Sequence, residues 1–375
     1  MKRALSLLLA AVLTVSVLGG CGGGAAPAPE GAAPAETSAP ESAAPAETSA
    51  PEGAASAEAP AAHVYDDGRA RPSNSGALRV VDGKLCSRDG EPVMLRGVSS
   101  NGLITAEDFL SEELFRELSE DVGVNLFRFA MYTYGVGIVG YCTNGDRERH
   151  KADIAKGVEL CRREDMYALI DWHILSDGDP NRYLDEAKLF FAEMAETYRD
   201  HDNVLYEICN EPNGVDWPTV KRYAEQIIPV IREKDPDSVI IVGSPDWSKD
   251  LRSVAADPLA FDNILYALHF YAASHGGEFR DMTEELSRGG LPVFVSEYGV
   301  TAASGGHPRD LESADLWIEL LERENISYCM WSYSKAPEAC SALRSGVPKN
   351  SGFTREDYSA TGQWLLDTLA KYSTK

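Results

Sequence analysis

The feature that most constrains the fold is a regular alternation of short apolar segments and amphipathic stretches, from about residue 93 to the C-terminus. The apolar segments have the length and composition of buried strands, and in the stretches between them apolar residues recur three and four positions apart, as on one face of a helix. Eight strands, each followed by a helix, over roughly 280 residues predict an α/β fold of the (β/α)8 TIM barrel type rather than a doubly wound sheet. The predicted strands are 93–98, 125–131, 167–173, 204–211, 238–244, 263–271, 292–298 and 327–333.

The segment before the barrel predicts a small β-hairpin. The sequence "ALRVVDGKLCSRDGEPVML" has two turn signals, "DGK" and "DGE", between alternating apolar runs. No G-x-G-x-x-G motif follows the first barrel strand, which argues against a dinucleotide-binding fold. The predicted helices of the barrel are 107–121, 151–164, 182–199, 217–234 and 313–324, with a last helix near 361–372.

The N-terminus predicts an exported and tethered protein. The first twenty residues have a charged start and an apolar core too short to span a membrane, as in a signal peptide. They end in "VLGGC", which resembles the lipobox of bacterial lipoproteins and implies cleavage before Cys21 and acylation of its thiol; the alternative is an ordinary signal followed by an unrelated cysteine. Residues 22 to about 62 are nearly all Ala, Pro, Glu, Ser, Thr and Gly, which predicts a disordered tether.

These signals divide the chain into three predicted parts: a signal peptide (1–20), an acylated cysteine with a disordered tether (21–75) and the barrel domain (76–375). We expect an exported lipoprotein held in the bacterial membrane through Cys21 and exposed at the cell surface, or else a secreted protein. We expect a monomer.

The net charge bears on the kind of partner, and the cysteine spacing bears on disulfide bonds. The chain has 35 Lys and Arg against 59 Asp and Glu, a net charge of −24, which argues against a nucleic acid and favours a neutral or cationic ligand. The six cysteines after Cys21 include no C-x-x-C pair and do not form a dense disulfide pattern. Cys209 and Cys329 lie in apolar runs and are predicted to be buried thiols.

Polar residues near the ends of predicted strands indicate a functional site. In "YEICNEPNG" (206–214) an apolar strand ends on an amide and a carboxylate, although a parallel barrel buries its strands on both faces. Each such residue alone also has a structural explanation, such as an ion pair or a helix cap. Together they predict a pocket at the C-terminal end of the barrel, where barrels of this kind have their active sites. The candidate residues are Arg128, His173, Asn210, Glu211, His269, Tyr271, Glu297 and Trp331.

The two glutamates suggest the chemistry of this pocket. Glu211 and Glu297 end the fourth and seventh strands, which lie across the mouth of a closed barrel from one another. Paired carboxylates across a pocket are typical of glycoside hydrolysis, in which one acid is protonated and the other is charged. No H-E-x-x-H motif, cysteine cluster or G-x-S-x-G elbow is present, so we expect no metal, no cofactor and no serine nucleophile. A metal-dependent barrel would need more acids at the mouth.

The motifs resemble those of glycoside hydrolase family 5, and within it the bacterial endoglucanases. The resemblance rests on "LFRFAMY", "LIDWHILSDGDPN", "YEICNEPNG", "YALHFYAASH", "VFVSEYG" and "WSYS", and it extends from about residue 78 to the C-terminus. It implies a retaining mechanism through a glycosyl-enzyme intermediate, with Glu211 as acid/base and Glu297 as nucleophile. It also implies that Arg128 and Tyr271 keep Glu297 ionised, and that Asn210 binds the 2-hydroxyl group of the sugar.

The same resemblance assigns the remaining candidates to sugar binding. His173 and His269 would lie beside the scissile bond, and Trp331 would form a stacking floor for the preceding sugar. In this family the peptide bond after that tryptophan is typically cis, so we expect a cis bond between Trp331 and Ser332.

Three positions depart from the family pattern. The family usually has "STHGLQW" where this chain has "SSNGLIT", so Asn101 and Thr105 replace a histidine and a tryptophan. Ala336 aligns with a family lysine, and Lys335 is displaced by one position. All three lie on the glycone side, so they leave the glucan preference open. We expect an endo-β-1,4-glucanase acting on cellulose-like or mixed-linkage glucan; the alternatives are a mannanase, a xyloglucanase or a non-catalytic glycan-binding lipoprotein.

Overall fold

The computed structural model describes residues 62–103, 109–135 and 139–372. Its strands β3 to β10 are all parallel and close into a barrel in the order β10-β3-β4-β5-β6-β7-β8-β9. The eight predicted barrel strands are therefore confirmed. The strand bounds are β1 (Arg79–Val81), β2 (Lys84–Cys86), β3 (Arg96–Ser99), β4 (Leu126–Tyr132), β5 (Tyr167–His173), β6 (Val204–Glu207), β7 (Ile240–Gly243), β8 (Ile264–Tyr271), β9 (Val293–Gly299) and β10 (Tyr328–Met330).

A helix follows each barrel strand, as the (β/α)8 prediction requires. Aspartates begin several of these helices: Asp146, Asp216 and Asp310 each accept a hydrogen bond from the backbone N–H three residues later, at 3.1, 3.1 and 2.9 Å. None of the helices in the described residues is both long and apolar enough to cross a bilayer. The helices are α1 (Pro72–Ser75), α2 (Glu112–Glu117), α3 (Arg147–Arg163), α4 (Leu184–Tyr198), α5 (Trp217–Arg232), α6 (Leu251–Ala256), α7 (Gly277–Arg288), α8 (Leu311–Arg323) and α9 (Ala360–Tyr372).

Some element bounds differ from the prediction for identifiable reasons. Strand β6 ends at Glu207 rather than at residue 211, because its pairing with β5 and β7 ends there, with Glu207 opposite Asp171 and Ile241. Helix α2 begins at residue 112 rather than 107, because the Ser111 hydroxyl accepts a hydrogen bond from the Leu114 N–H at 3.3 Å and caps the helix. Helices α6 and α7 had not been identified in the sequence.

The predicted hairpin is confirmed and closes the lower, N-terminal end of the barrel. Strands β1 and β2 pair antiparallel, with Arg79 opposite Cys86. The turn between them places Asp82 and Gly83 at φ values of 48° and 75°, the left-handed conformation that two-residue hairpin turns use. Leu85 of the hairpin packs into the same apolar cluster as Leu169 and other side chains of the lower barrel interior.

Packed structure begins before residue 76, where the predicted tether ended. Arg71 is fully buried; its guanidinium donates to the Asp67 carboxylate at 2.6 Å and to the Ser119 hydroxyl at 2.9 Å. The His63 N–H donates to the carbonyl of Arg163, the last residue of α3, at 2.8 Å. Residues 62–75 therefore pack against the domain. The signal peptide, Cys21 and the tether up to residue 61 lie outside the described residues.

All six cysteines of the described residues are free thiols. Cys209 and Cys329 are fully buried, as predicted. Cys209 follows β6 and Cys329 lies within β10, so both are part of the barrel wall.

Candidate active site

The structure brings the eight predicted site residues together at the C-terminal mouth of the barrel. Contacts of 2.6 to 3.4 Å join five of them into one group, and a contact of 3.0 Å joins Glu211 to His269, both of which have donor atoms within 4.8 Å of Glu297. Trp331 stacks on His173 with ring centroids 5.2 Å apart and an interplanar angle of 14°. The Trp331–Ser332 bond is cis, as expected. The eight site residues come from six strands or the segments that follow them: Arg128 from β4, His173 from β5, Asn210 and Glu211 after β6, His269 and Tyr271 from β8, Glu297 from β9 and Trp331 after β10.

The two glutamates face each other across the mouth. A carboxylate oxygen of Glu211, one of Glu297 and a ring nitrogen of His269 all lie within 4.8 Å of one another. The residues Glu211 and Glu297 are 9% and 4% exposed, so both are nearly enclosed by protein. The prediction that they share one cleft is confirmed.

Glu297 accepts hydrogen bonds on both oxygens. Arg128 donates to Oε2 at 3.1 Å, and the Tyr271 hydroxyl donates to Oε1 at 2.7 Å. Burial and the negative charges of Glu297 and Glu211 raise the pKa of Tyr271 well above its usual value, so its hydroxyl remains a donor. These two donors stabilise a negative charge on Glu297.

Glu211 has a different partner. His269 Nδ1 lies 3.0 Å from Glu211 Oε1, and its Nε2 lies 2.9 Å from the Ser296 hydroxyl, which donates to Glu207 at 2.6 Å. Burial alone would lower the pKa of His269, but its hydrogen bonds to Glu207 and Glu211 outweigh this and raise the pKa to about 9. A proton therefore resides on the Glu211–His269 pair at neutral pH.

A buried charge network lies directly beneath the site. Arg128 donates to Glu207 at 2.7 Å and to Asn210 at 2.6 Å, and it pairs with Asp171 at 3.0 Å. Burial alone would lower the pKa of Arg128, but the surrounding carboxylates outweigh this and hold the pKa well above its usual value. One guanidinium therefore orients both the Glu297 carboxylate and the Asn210 amide.

Three members of this network were missed in the sequence: Asp171, Glu207 and Ser296. All three are completely buried. A signal was present, because Asp171 and Glu207 each come two residues after an apolar, inward-facing leucine, Leu169 and Leu205. Side chains on one face of a strand recur every second residue, so a charge at that position points into the barrel.

His173 is neutral in this setting. Burial and the nearby positive charge of Arg128 lower the pKa of His173 to about 4. Its Nδ1 lies 2.6 Å from Asp171, whose own pKa is raised well above its usual range by burial. Asn210 Nδ2 lies 3.4 Å from His173 Nε2, so the imidazole connects the lower network to the mouth.

A pocket of about 210 Å³ opens beside Glu211 and contains an aromatic residue that was missed in the sequence. Trp247 lines this pocket and is 45% exposed. It lies in a turn in which Asp246, Trp247 and Ser248 have φ values of 57°, 58° and 55°, a left-handed conformation uncommon for non-glycine residues. No sequence periodicity predicts such a turn.

The glycone-side departures have distinct surroundings. Asn101 Nδ2 lies 3.3 Å from the Glu338 carboxylate and 3.4 Å from the Ser332 hydroxyl. The Lys335 amine donates to the side chain of Asn350 at 2.5 Å, so it is tied to a neighbouring loop. Ala336 and Glu338 line a separate pocket of about 590 Å³. Thr105 lies outside the described residues.

A closed parallel barrel with two carboxylates facing each other at its C-terminal mouth is the architecture of a glycoside hydrolase. The sequence profile described as "Cellulase (glycosyl hydrolase family 5)" matches residues 86–337. The chain belongs to glycosyl hydrolase family 5.

Individual relatives agree with this assignment. The chain is 42% identical over 300 residues to Endoglucanase A of Butyrivibrio fibrisolvens, covering 79% of this chain and 69% of that protein. It is 40% identical over 296 residues to Endoglucanase N of Pectobacterium atrosepticum, covering 78% of this chain and 65% of that protein. Among solved structures, the catalytic domain of the Thermobifida fusca endoglucanase Cel5A in complex with cellotetraose matches with a TM-score of 0.76 and 36% identity, covering 80% of this chain and 100% of that one.

Proposed function

We propose that this protein is a retaining endo-β-1,4-glucanase that hydrolyses cellulose-like or mixed-linkage β-glucans. The main support is the separation of the carboxylate oxygens of Glu211 and Glu297, which is within 4.8 Å. Retaining pairs stand about 5 to 5.5 Å apart and inverting pairs about 6.5 to 9.5 Å apart, since inversion needs a water molecule in between. Relatives named endoglucanases, and a similar structure solved with cellotetraose, support the substrate class.

In the proposed first step, Glu211 donates a proton to the glycosidic oxygen while a carboxylate oxygen of Glu297 attacks the anomeric carbon. The carbon–oxygen bond of the leaving sugar breaks, and a covalent glycosyl ester forms on Glu297. In the second step, Glu211 removes a proton from water, the water oxygen attacks the anomeric carbon, and Glu297 leaves as a carboxylate. Two inversions at one carbon restore its original configuration.

The neighbours of the two glutamates support this division of roles. Glu297 accepts hydrogen bonds from Arg128 and Tyr271, so it is stabilised as the anion that a nucleophile requires. Glu211 instead contacts His269, and this pair holds a proton that can be delivered to the leaving oxygen. Interchanging the roles would require the nucleophile to be the protonated partner.

The other site residues have proposed roles in sugar binding. Asn210 is held by Arg128 and would contact the 2-hydroxyl group, an interaction that strengthens in the transition state. Trp331, stacked on His173, would present an aromatic face to the sugar on the glycone side. Trp247 lines the pocket beside Glu211 and would contact the sugar on the leaving-group side.

Glu297→Ala tests the catalytic proposal. We expect kcat on barley β-glucan to fall by about 10⁴-fold or more, since the covalent step is lost. Affinity for cello-oligosaccharides should change little, because a nucleophile contributes mainly in the transition state. Glu356→Ala, at an exposed position, is the control and should keep full activity. Unchanged turnover in Glu297→Ala would refute the mechanism.

A substrate panel tests the specificity. We expect carboxymethylcellulose and barley β-glucan to be hydrolysed faster than xyloglucan or mannan. Activity confined to mannan or to xyloglucan would correct the substrate and leave the mechanism intact. Oligosaccharide binding by the wild-type protein without any turnover would identify a glycan-binding protein instead of an enzyme.

We also propose that the protein is an exported lipoprotein, acylated on Cys21 and joined to the catalytic domain by the tether. Support comes from the signal-like residues 1–20, the "VLGGC" sequence and the composition of the tether. In a bacterial host, the wild-type protein should enter the detergent phase on Triton X-114 partitioning and Cys21→Ser should not. Equal partitioning of the two would indicate an ordinary signal peptide.

A further inference from the structure

Three side chains of the site also form a set of metal-binding donors. One oxygen each from Glu211 and Glu297 and one ring nitrogen of His269 lie within 4.8 Å of one another. Among the described residues this is the one group of three or more His, Cys, Asp or Glu side chains with such close donors. Spacing along the chain does not reveal the set, because its members come from three different segments.

The charge around the set favours a cation. Glu211 and Glu297 place two carboxyl groups at the mouth. Glu207 and Asp171 add two more in the buried network directly beneath it. Arg128 is the guanidinium that contacts three of these four groups. The three glutamates therefore outnumber Arg128 and the proton held between Glu211 and His269, and a divalent ion that replaces this proton would reduce the remaining repulsion between Glu211 and Glu297.

The far side of His269 is arranged as it is in metal sites. Its Nε2 lies 2.9 Å from the Ser296 hydroxyl, which itself donates to Glu207 at 2.6 Å. With Nε2–H donating to Ser296, displacement of the proton held between Glu211 and His269 would leave the Nδ1 lone pair directed towards Glu211, 3.0 Å away. Histidine ligands of metals almost always donate their other ring N–H in this way, which fixes the tautomer and the ring orientation.

We propose that the site binds one divalent transition-metal ion of the Zn²⁺ type through Glu211, His269 Nδ1 and Glu297, and that this ion inhibits the enzyme. An imidazole with two carboxylates suits Zn²⁺ better than Mg²⁺ or Ca²⁺, which prefer sites made only of oxygen. Donors on one tetrahedral Zn²⁺ are roughly 3.4 Å apart, so the present spacing needs only a modest closing of Glu297. The adjacent 210 Å³ pocket leaves room for water as a fourth ligand.

Inhibition follows from the roles proposed above, and this part of the inference rests on the proposed function. A bound ion occupies the lone pairs of Glu297 that would attack the anomeric carbon, and it occupies the Glu211 oxygen that would carry the proton. Substrate and ion therefore compete for the same two carboxylates. The bound ion would act as an inhibitor taken up from the surrounding solution, and it would take no part in the reaction.

Isothermal titration with ZnCl₂ tests the site without depending on activity. We expect one Zn²⁺ to bind per wild-type chain and the affinity to fall at least about 100-fold in His269→Ala. The matched control is His63→Ala, because His63 Nδ1 also lies 3.0 Å from a carboxylate, that of Glu164, but on the surface and without a second carboxylate ligand. Loss of binding in His63→Ala, or equal binding in His269→Ala, would overturn the proposal.

A second variant leaves all three ligands in place. Ser296→Ala removes only the hydroxyl behind His269, so we expect about 10- to 100-fold weaker Zn²⁺ binding. Circular dichroism would establish that both variants are folded. Unchanged Zn²⁺ affinity in Ser296→Ala would contradict the proposed orientation of the ring.

Inhibition assays complete the test. Zn²⁺ should inhibit hydrolysis of barley β-glucan competitively, EDTA should restore activity, and Mg²⁺ at the same concentration should have no effect. Noncompetitive inhibition would overturn the proposal. If the wild-type protein hydrolyses glucan but binds no Zn²⁺, the metal inference alone fails; if it binds Zn²⁺ through His269 but hydrolyses no glycan, the proposed function fails instead.

Discussion

The lower and upper halves of the barrel interior are built from the same strands but by opposite means. In the lower half, inward-facing residues such as Leu126 and Leu169 form a wholly apolar cluster. Two positions further along the same strands, Arg128 and Asp171 are equally buried but charged. Apolar burial stabilises the lower half, whereas buried charges are costly unless they are paired. The comparison indicates that the lower half supplies stability and the upper half supplies the site.

The buried charges of the upper half do not unfold the barrel, because they are paired with one another. Arg128 contacts Asp171, Glu207 and Glu297 at 3.0, 2.7 and 3.1 Å. A single cation therefore offsets much of the desolvation cost of several carboxylates. The stability of the upper half should accordingly depend on Arg128, and the stability of the lower half should depend on the volume of its apolar side chains.

The largest effect is expected from Arg128→Met, which removes the buried guanidinium of the upper half. Buried carboxylates would be left without a partner, so we expect a loss of about 3–5 kcal/mol in the free energy of unfolding. We also expect kcat to fall by on the order of 10²–10³-fold, because Glu297 loses a hydrogen-bond donor. Urea unfolding and β-glucan hydrolysis measure the two quantities.

The matched control for this change is Arg96→Met. Arg96 also forms a two-bond pair with a glutamate, Glu322, at 2.6 and 2.7 Å, but on the helix side of the barrel wall. Arg96→Met should lower the free energy of unfolding and leave kcat unchanged. If the two variants lose kcat equally, the upper interior has no special role.

Leu169→Ala tests the lower half. Truncating a fully buried leucine should cost about 2–5 kcal/mol of unfolding free energy. The kcat of the folded protein at 25 °C should be unchanged, because no site residue is removed. Ile170→Ala, which truncates the outward face of the same strand, should behave alike. A selective loss of kcat in Leu169→Ala would show that the two halves are coupled.

A smaller effect is expected on the pH dependence of the free energy of unfolding. A histidine of the upper interior and one of the outer layer should contribute to it alike. Burial lowers the pKa of His173 and of His150 to about 4. The unfolded chain, with a histidine pKa near 6.5, takes up the protons first, so stability falls as the pH drops from about 6.5 to 4. Each of the two histidines should lower the free energy of unfolding by about 2 kcal/mol at pH 5 relative to pH 7.5.

His150 allows this to be tested away from the site. Neither of its ring nitrogens has a hydrogen-bond partner in the part of the chain that the structure describes. His150→Leu should therefore reduce the loss of unfolding free energy between pH 7.5 and pH 5 and leave kcat intact. An identical pH dependence in the variant and the wild type would show that His150 does not contribute.

The smallest effect is expected from Lys335→Met, outside both halves. The Lys335 amine is bonded to Asn350 and to the Lys349 carbonyl, at 2.5 and 3.3 Å. We expect a change in unfolding free energy below about 1 kcal/mol and the same hydrolysis products as the wild type. A shift in product length would show that this lysine reaches the bound glucan.

Much of this site could be predicted from the sequence, for a local reason. Glu211 and Glu297 each come one polar residue after an apolar run, so a pair of polar residues near a strand end is visible without coordinates. Asp171 and Glu207 are less visible, because each lies inside a predicted strand and the direction of its side chain depends on which face of that strand is turned inward. Trp247 was not predictable, since its turn has no periodic signal.

The sequence by itself determined the barrel and the set of polar strand ends, because strand and helix periods are local properties of the chain. The tertiary structure alone decided that Glu297 lies beside His269 on neighbouring strands and within 4.8 Å of Glu211. Such distances depend on closure of the barrel and on the register of strands far apart in the chain. No local pattern records that register, which is set by packing of the whole interior.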